Sequence, residues 1–333
     1  MEDRILLAHG SGGKLSHSLI EEVFVKSFDD ALLARMDDQA VFLSPGAMLA
    51  FTTDSYVISP IFFPGGDIGK LAVCGTVNDL AVGGALPVYM SASFIIEEGA
   101  PLDDIRRIAG SMAKTARECG VRIVTGDTKV VERGKGDTVF INTSGIGVVR
   151  DGVELSPSFI RPGDAIIISG TVGDHGMAIL TKRGGLEIPV ESDCAPLHIL
   201  AADILSTGAG VKAMRDPTRG GLATVLNEFA DTADCSMHIV ETLIPVRDEV
   251  RGACEILGFD PLYLANEGKL VLVAERQGTD EILAAMRKNP LGRNAAIIGY
   301  AAEGPKKKVI LTTAMGNRRI VEKLSGEQLP RIC

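Results

Sequence analysis

The sequence has no tryptophan and only 4 tyrosines in 333 residues, and it also lacks long uncharged stretches. No run of 18 residues is without a charged side chain, so a membrane-spanning helix is not expected. Residues 1–30 lack a basic region followed by an apolar core and a small-residue cleavage site, which argues against a secretory leader. The default expectation is therefore a cytoplasmic protein.

Cysteine is scarce as well. The chain has six, with no CxxC pair and no spacing typical of a zinc site, at positions 74, 119, 194, 235, 254 and 333. This pattern argues against a disulfide framework. Cys74, Cys119 and Cys254 fall in helix-like stretches, where a thiol most often serves as a small core residue, so we expect them to be buried and structural.

An excess of positive charge is also missing, because 34 Lys and Arg stand against 43 Asp and Glu, which gives a net charge of −9. Nucleic-acid surfaces hold phosphates with clustered cations, so this balance argues against such a partner. The basic run from Lys306 to Lys308 is more typical of a solvated strand edge. Any anion bound by this chain is expected to need a metal ion or backbone amides.

What is present is typical of a two-domain α/β protein, since the chain is 46% hydrophobic, has 38 glycines and alternates strand-like with helical patterns. In the first half, the patterns predict a helix beginning at Leu15, strands at 47–53, 89–96, 121–125 and 138–149, a helix at 68–82 capped by Asp67, and a helix at 101–119. In the second half, they predict helices at 195–207, 219–230, 248–257 and 280–288 and strands at 164–169, 236–240, 270–274, 295–300 and 309–312. We expect domains at 15–157 and 158–318, between a polar segment at 1–14 and a tail at 319–333.

A glycine-rich segment, His9-Gly10-Ser11-Gly12-Gly13-Lys14, lies just before the first helical pattern. Backbone N–H groups at a helix start, together with a lysine, can bind a phosphate. The spacing is not that of a Walker A loop, and a flexible N-terminal arm is the alternative.

Four aspartates follow apolar strands or occupy polar positions in a helical context: Asp54, Asp79, Asp127 and Asp216. Ligands of α/β proteins bind at strand carboxyl ends and helix starts, and Mg²⁺ takes carboxylate oxygens while it bridges phosphates. Each aspartate taken alone is more typical of a cap or a turn. Asp79 is the exception, because a carboxylate in the otherwise apolar helix at 68–82 needs a partner if it is buried.

Three further segments carry candidate groups. In Asp216-Pro217-Thr218-Arg219-Gly220-Gly221, the glycines let the backbone approach an anion at a helix start. Lys129 follows Gly126-Asp127-Thr128, which we interpret as a turn, and Glu267 precedes the strand at 270–274. A surface lysine and a turn glutamate are the ordinary alternatives for these two residues.

The last five residues, Leu329-Pro330-Arg331-Ile332-Cys333, place a thiol on a tether. Pro330 favours an extended approach, and residues 326–333 can span roughly 25 Å. The thiol can therefore visit a pocket elsewhere, whereas a frayed terminus is the ordinary alternative.

Together these segments resemble the HypE family of hydrogenase maturation factors, which are carbamoyl dehydratases of the AIR synthase (PurM-like) superfamily. The resemblance spans essentially the whole chain. It rests on the segment from His9 to Lys14, Thr52-Thr53-Asp54-Ser55, Val77-Asn78-Asp79-Leu80-Ala81, Gly126-Asp127-Thr128-Lys129-Val130-Val131, the segment from Asp216 to Gly221, Asn266-Glu267-Gly268-Lys269 and Pro330-Arg331-Ile332-Cys333. The terminal segment is the most specific, since the related selenophosphate synthetases, AIR synthases and thiamine-phosphate kinases do not end this way.

The resemblance implies a two-domain PurM-like fold whose N-terminal domains pair into a homodimer, with ATP and Mg²⁺ in a cleft. It implies that a carbamoyl group on the Cys333 thiol is dehydrated to a thiocyanate with hydrolysis of ATP. The carbamoyltransferase HypF would supply the carbamoyl group. The HypC–HypD complex would receive the cyanide for the iron of [NiFe] hydrogenase.

The same resemblance assigns site residues. Catalytic roles fall to Cys333, Lys129 and Glu267, the last two as bases. Metal binding falls to Asp54, Asp79 and Asp216. Nucleotide binding falls to Gly10, Gly12, Gly13, Lys14, Thr53, Asp127, Thr128 and Gly220.

Two other hypotheses stay open at this point. One is another ATP-dependent member of the superfamily, such as a selenophosphate synthetase, although those usually rely on a reactive cysteine or selenocysteine near the N-terminus and residues 1–14 contain none. The other, from a different class, is a carrier that presents Cys333 while another protein carries out the dehydration. Intrinsic ATP hydrolysis by the carbamoylated protein separates an enzyme from a carrier.

Overall fold

The computed structural model describes residues 13–25, 33–44 and 46–324, in which two large sheets are each covered by helices. The first half contains β1 (Ala40–Ser44), β2 (Ala47–Tyr56), β3 (Phe62–Phe63), β4 (Gly66–Asp67), β5 (Ala85–Glu97), β6 (Arg122–Val131) and β7 (Val139–Val149). The second half contains β8 (Ala165–Ile168), β9 (Val211–Arg215), β10 (Ser236–Val240), β11 (Val271–Ala274), β12 (Ala296–Ala302), β13 (Lys308–Thr312) and β14 (Arg318–Val321).

The helices of the described residues alternate with these strands. They are α1 (Lys14–Leu19), which continues as a π-helical turn (Ile20–Val25), α2 (Ile68–Val82), α3 (Leu102–Glu118), α4 (Asp174–Gly184), α5 (His198–Leu205), α6 (Gly221–Ala233), α7 (Asp248–Leu257) and α8 (Thr279–Lys288). Short 3₁₀ turns lie at Leu33–Arg35, Pro157–Phe159, Glu241–Leu243, Pro261–Tyr263, Arg276–Gly278 and Pro290–Gly292. In the part of the chain that the structure describes, no helix is long and apolar enough to cross a membrane.

The first sheet has the strand order β1-β2-β7-β5-β6, and only β5 and β6 run parallel. Its strands alternate between a buried and a more exposed face, as expected when a sheet packs against helices on one side. Ile141 and Met90 on the buried face pack with Val73 of α2 and Ile108 of α3. The opposite face, which we call the open face, carries exposed apolar side chains, among them Phe51, Tyr89 and Ile146.

The second sheet has the order β14-β13-β10-β12-β8-β11-β9, and β10 pairs with β13 in parallel while its other pairs are antiparallel. Strand β8 is buried on both faces, because successive side chains point in opposite directions. Ile166 packs on the side of Phe229 of α6, whereas Ile167 packs with Leu200 of α5 and Ile282 of α8. This sheet is therefore the middle layer of the second half.

Helix α2 joins the two halves. All of its residues except Lys70 and Asp79 are buried, as expected for a helix that is apolar on every side. Val77 packs into the first-half core, whereas Val82 packs with Leu200 of the second half. The polar pair Asn78-Asp79 consequently lies at the junction between the halves.

Several local predictions are confirmed. Helix α2 has the predicted bounds, and the Asp67 carboxylate accepts from the backbone N–H groups of Gly69 and Lys70 at 2.8 and 3.0 Å, as an N-cap does. Cys74, Cys119 and Cys254 are buried. The predicted boundary near residue 158 lies in the connection between β7 and β8, and its exact position stays a prediction.

Candidate functional site

A cavity of about 510 Å³ lies where β2 and α2 of the first half meet the start of α6. We call it the acidic cavity, because Asp38, Asp79, Asp216 and Glu228 line it. Thr53, to which the family resemblance assigns nucleotide binding, also lines it. Its volume is in the range of small-molecule binding sites.

Asp79 is the first-half carboxylate of this cavity. Thr52 Oγ1 donates to Asp79 Oδ2 at 2.8 Å, which supplies the partner that a carboxylate in an apolar helix requires. Burial, followed by the charges of Asp216, Asp38 and Asp54, raises the pKa of Asp79 well above its ordinary value. The predicted metal residues thus act on one another electrostatically.

Asp216 lines the acidic cavity from the second half and directly follows β9. Burial and the nearby charge of Asp38 raise the pKa of Asp216 to about 8. Its Oδ2 atom and the hydroxyl of Thr224 are buried and have no hydrogen-bond partner among the described residues. Oxygens that lack donors at the wall of a cavity are available to a ligand.

Two arginines offset part of this negative charge. Arg215 Nε lies 2.9 Å from Asp38 Oδ2, and its guanidinium also pairs with Glu228. Arg219 lies 3.7 Å from Asp54. Sequence reasoning missed Asp38, Arg215 and Glu228, although Arg215 stands directly before the aspartate that it did identify.

The donor set fits a hard cation, which prefers carboxylate and hydroxyl oxygens. Within the described ranges, however, no three His, Cys, Asp or Glu side chains stand close enough to hold a metal ion. Mg²⁺ commonly uses one or two carboxylates and completes its shell with waters and phosphate oxygens. Asp79 and Asp216 fit that mode, whereas Asp54 pairs with Arg219.

Glu267 lies in the turn Asn266-Glu267-Gly268-Lys269 and is buried. Its carbonyl oxygen accepts from Asn78 Nδ2 of α2 at 3.3 Å and from the Ala195 N–H at 3.2 Å. Burial, then the neighbouring Cys194 thiol, raises the pKa of Glu267 well above its ordinary value, and Asp216 adds to the effect. The turn also contacts the segment that follows Asp216, since the Asn266 N–H donates to the Pro217 carbonyl oxygen at 3.0 Å. Glu267 therefore lies next to the Asp216 segment, although it is not among the residues that line the acidic cavity.

The interpretation of Gly126-Asp127-Thr128 as a turn is wrong. These residues lie inside β6, which runs without interruption from Arg122 to Val131. Gly126 pairs with Ala92 of β5, and a Cβ at Gly126 would stand 2.0 Å from the Ala92 carbonyl oxygen. The glycine thus permits close strand contact, a tertiary requirement that local turn chemistry does not reveal.

Asp127 and Lys129 lie on the open face at the far edge of the first sheet, away from the acidic cavity. Asp127 pairs with Ser93 of β5, which in turn pairs with Asn142 of β7, and these residues lie on the open face. Asp54 pairs with Thr143 on the opposite face, beneath α2. β6 is three strands from β2, or about 14 Å at 4.7–4.9 Å per strand. Lys129 Nζ lies 2.6 Å from Asp127 Oδ2, and both side chains are exposed. One chain therefore does not bring Lys129, Asp127 or the neighbouring Thr128 to Glu267.

The remaining predicted residues are divided. Gly220 caps α6 with φ +75°, and Thr218 and Thr224 beside it line the acidic cavity. The Lys14 N–H donates to the Leu324 carbonyl oxygen at 3.2 Å, and its ammonium lies 3.7 Å from Glu322, so Gly13 and Lys14 contact the far end of the described chain. Gly10, Gly12 and Cys333 lie outside the described residues.

Two protein-family models match the chain. The model for AIR synthase related protein, N-terminal domain, matches residues 36–149, and the model for AIR synthase related protein, C-terminal domain, matches residues 161–312. The fold and these matches define an AIR synthase-like protein of the PurM-like superfamily.

Individual proteins sharpen this class. The carbamoyl dehydratase HypE of Rhizobium leguminosarum bv. viciae is 54% identical over 333 residues, which cover 99% of this chain and 95% of that protein. A crystal structure of hydrogenase maturation protein HypE in complex with ATP has a TM-score of 0.84 and 48% identity, covering 99% of this chain and 100% of that one. The crystal structure of a HypE–HypF complex has a TM-score of 0.87 and 48% identity over 92% of this chain and 100% of that one. The chain belongs to the HypE family of carbamoyl dehydratases.

Proposed function

We propose that this chain uses ATP to dehydrate a carbamoyl group carried on its own Cys333 to a thiocyanate. The observation that supports this most directly is that Asp79 of the first half and Asp216 of the second half line one cavity, while the turn that carries Glu267 contacts the segment after Asp216. An ATP-bound HypE matches 99% of this chain, so the nucleotide is the natural occupant of that cavity.

ATP is bound where carboxylates and a helix start meet. The N-terminus of α6 at Gly220 offers backbone N–H groups and a positive dipole end to phosphates. Asp79 and Asp216 hold Mg²⁺, and Asp54 orients Arg219 beside them. Mg²⁺ supplies charge neutralisation, without which the carboxylates of this cavity would repel the triphosphate.

The reaction needs phosphorylation because the oxygen of Cys–S–CO–NH₂ is a poor leaving group. The carbamoyl oxygen attacks the γ-phosphorus, ADP leaves, and loss of one nitrogen proton gives the iminophosphate Cys–S–C(=NH)–O–PO₃²⁻. Loss of the second nitrogen proton then expels phosphate and leaves Cys–S–C≡N. Each proton requires a base within about 2.6–3.2 Å.

Glu267 is the base that this chain supplies at the cavity. A carboxylate with a raised pKa is a stronger proton acceptor than an ordinary surface glutamate. Asn78 and Ala195 hold its peptide carbonyl, which fixes where the side chain begins.

Cys333 can reach the cavity from the end of the described chain. Leu324 lies beside Lys14 of α1, and the next turn of that helical segment lines the cavity through His17 and Ile20. Cys333 is nine positions beyond Leu324, a span of at most about 30 Å. The tail is therefore long enough to deliver the thiol.

The working unit is a homodimer formed through the open face. Phe51, Ile146 and Tyr89 lie side by side in register on that face and are 41%, 39% and 40% exposed. Among the described strands, β6 is an edge of its sheet, with nine of its ten residues exposed. A contiguous apolar patch next to an unpaired edge is a surface that proteins cover, and a second copy of the chain covers it here.

The dimer also gives Lys129 a role. Asp127 and Lys129 share the open face with Thr53, which lines the acidic cavity. We place Lys129 of the partner subunit at the cavity of this chain, as the second base. Covering the Asp127–Lys129 pair removes it from water and brings the lysine against the partner's site.

The further partners follow from the chemistry of the tail. HypF, found in complex with a HypE relative, is the carbamoyltransferase that loads Cys333, and HypC–HypD receives the cyanide for the iron of [NiFe] hydrogenase. These steps take place in the cytoplasm.

The experiment measures phosphate release by the carbamoylated protein with ATP and Mg²⁺. Asp79→Asn is compared with Asp67→Asn, the same change at the N-cap of the same helix, where asparagine caps as well as aspartate. We expect wild-type turnover in Asp67→Asn and at least about 100-fold slower turnover in Asp79→Asn. Equal turnover in both variants would remove Asp79 from the site, and no ATP hydrolysis by the wild-type protein would leave only a carrier function.

A further inference from the structure

Asp193 binds the turn that carries Glu267. Its Oδ1 accepts from the Glu267 N–H at 3.1 Å, and its Oδ2 accepts from the Gly268 N–H at 3.2 Å. One carboxylate thereby holds two consecutive peptide groups. Its side chain is 3% exposed, so water does not compete for these bonds.

The same carboxylate forms a buried ion pair. Lys269 Nζ lies 3.1 Å from Asp193 Oδ2 and 4.0 Å from Asp174. Although burial works against the charged form, the Lys269 charge holds the pKa of Asp193 below its ordinary value. Asp193 is therefore a charged acceptor, which makes stronger hydrogen bonds than a neutral one.

Backbone packing closes the arrangement. A Cβ at Gly268 would stand 1.9 Å from the Asp193 carbonyl oxygen, so the turn and the 192–197 segment touch without an intervening side chain. The segment in turn contacts the first half, because the Ser192 N–H donates to the Pro64 carbonyl oxygen at 2.9 Å and the Leu197 N–H donates to Asn78 Oδ1 at 2.7 Å. It therefore connects the Glu267 turn to the first half.

We infer that Asp193 is a positioning residue for Glu267: it fixes the 266–269 turn against the 192–197 segment and thereby sets the place of the base relative to the acidic cavity. The inference rests on the proposed function, since it needs Glu267 to act in the dehydration. Asp193 touches neither nucleotide nor tail in this account and acts only through the Glu267 backbone.

The test is a double-mutant cycle with four proteins: wild type, Asp193→Asn, Glu267→Gln and the double variant. Each is carbamoylated, and thiocyanate formation is followed at saturating ATP together with the ATP dissociation constant. Asp164→Asn is the matched control. Asp164 is also buried and also caps a turn, since it accepts from the Arg161 N–H at 2.7 Å. It directly precedes β8, at the end of that strand away from the Glu267 turn.

We expect Asp193→Asn to slow dehydration between about tenfold and 100-fold, because a small displacement of a base is costly. ATP affinity should stay within about twofold of wild type, since the lost group acts after binding. The double variant should be no slower than Glu267→Gln, and Asp164→Asn should match the wild-type rate. Asp193→Ser, which keeps one acceptor, replaces Asp193→Asn if the latter does not fold.

Two results overturn the inference while the proposed function stands: a wild-type rate in Asp193→Asn, or losses that multiply in the double variant. A wild-type rate in Glu267→Gln is a different failure. It removes Glu267 from the proposed function and the positioning inference with it.

Discussion

The acidic cavity and the β6 edge carry the same kinds of residue in opposite settings. At the cavity, Asp79 and Asp216 are enclosed, disfavour each other's charge and leave an oxygen without a donor. At the edge, Asp127 is exposed, and the Lys129 ammonium and the Thr128 N–H hold its pKa below the ordinary range. The cavity thus has more negative charge than its own cations offset, whereas the edge has a balanced pair and uncovered surface.

This difference shows what each region lacks. The cavity needs a cation and phosphates that the cation can bind, since buried carboxylates are costly without partners. The edge needs a covering surface, since an exposed ion pair contributes little in water. In the proposed function, a nucleotide with Mg²⁺ would supply the missing cation and phosphates, and a second copy of the chain would supply the covering surface.

The largest predicted effect tests whether the two regions form one site across two subunits. Lys129→Ala and Glu267→Gln are each expected to lose at least about 100-fold in dehydration rate. Both variants are then co-expressed, or unfolded and refolded together, in equal amounts, so that half of the dimers are mixed. Each mixed dimer has one complete site, because the intact Glu267 of one chain meets the intact Lys129 of the other. Activity should return to about a quarter of wild type.

Mixing Glu267→Gln with Asp79→Asn is the matched control. Both residues belong to the same chain's part of the site, so in this mixture a mixed dimer has one damaged site from each parent and no complete one. Recovery in the first mixture and none in the second supports the partner role of Lys129. No recovery in either mixture places all three residues in one subunit, whereas a wild-type rate in Lys129→Ala by itself assigns Lys129 no role.

The next effect concerns the dimer itself. Tyr89→Glu puts a charge in the middle of the open face, and we expect it to yield folded monomers with little dehydratase activity, since burying an unpaired charge at an interface is costly. Ile256→Glu is the control, because Ile256 is 81% exposed on α7, away from that face. Sedimentation velocity gives the outcome, and a Tyr89→Glu dimer would show that another surface joins the subunits.

The smallest effect is on stability. In Asp79→Asn without metal, an amide replaces a carboxylate that burial and three neighbouring carboxylates disfavour, and it can still accept from Thr52. We expect the free energy of unfolding to rise by about 1 kcal/mol, and the Tm by about 2 °C, alongside the loss of activity. Calorimetry in EDTA checks this against Asp67→Asn, whose Tm should not change. A lower Tm in Asp79→Asn would contradict the electrostatic description of the cavity.

The sequence allowed the elements with local signals to be predicted. Helix α2 combines an N-cap aspartate with apolar residues on every side, and β10 has five residues with the predicted bounds. β6 was predicted too short, because Gly-Asp is typical of a turn while pairing with β5 extends the strand to Val131. Helix α4 was missed, because glycines lower its local propensity and burial in the core compensates.

The site was predictable to the extent that motifs mark it. Asp79, Asp216 and Glu267 were identified from the family resemblance, and the structure brings them together. Asp193 gave no signal, because it acts from a segment without regular structure on a turn more than 70 residues away. Which face of the sheet Lys129 occupies also could not be predicted, since it depends on the pairing register.

The most direct test of the central claim is the mass of the C-terminal peptide before and after the protein is incubated with the carbamoyltransferase, carbamoyl phosphate and ATP. We predict a carbamoyl adduct on Cys333 that then loses one water, with the second step absent in Glu267→Gln. An unmodified Cys333, with the transferase shown to be active, would contradict the account.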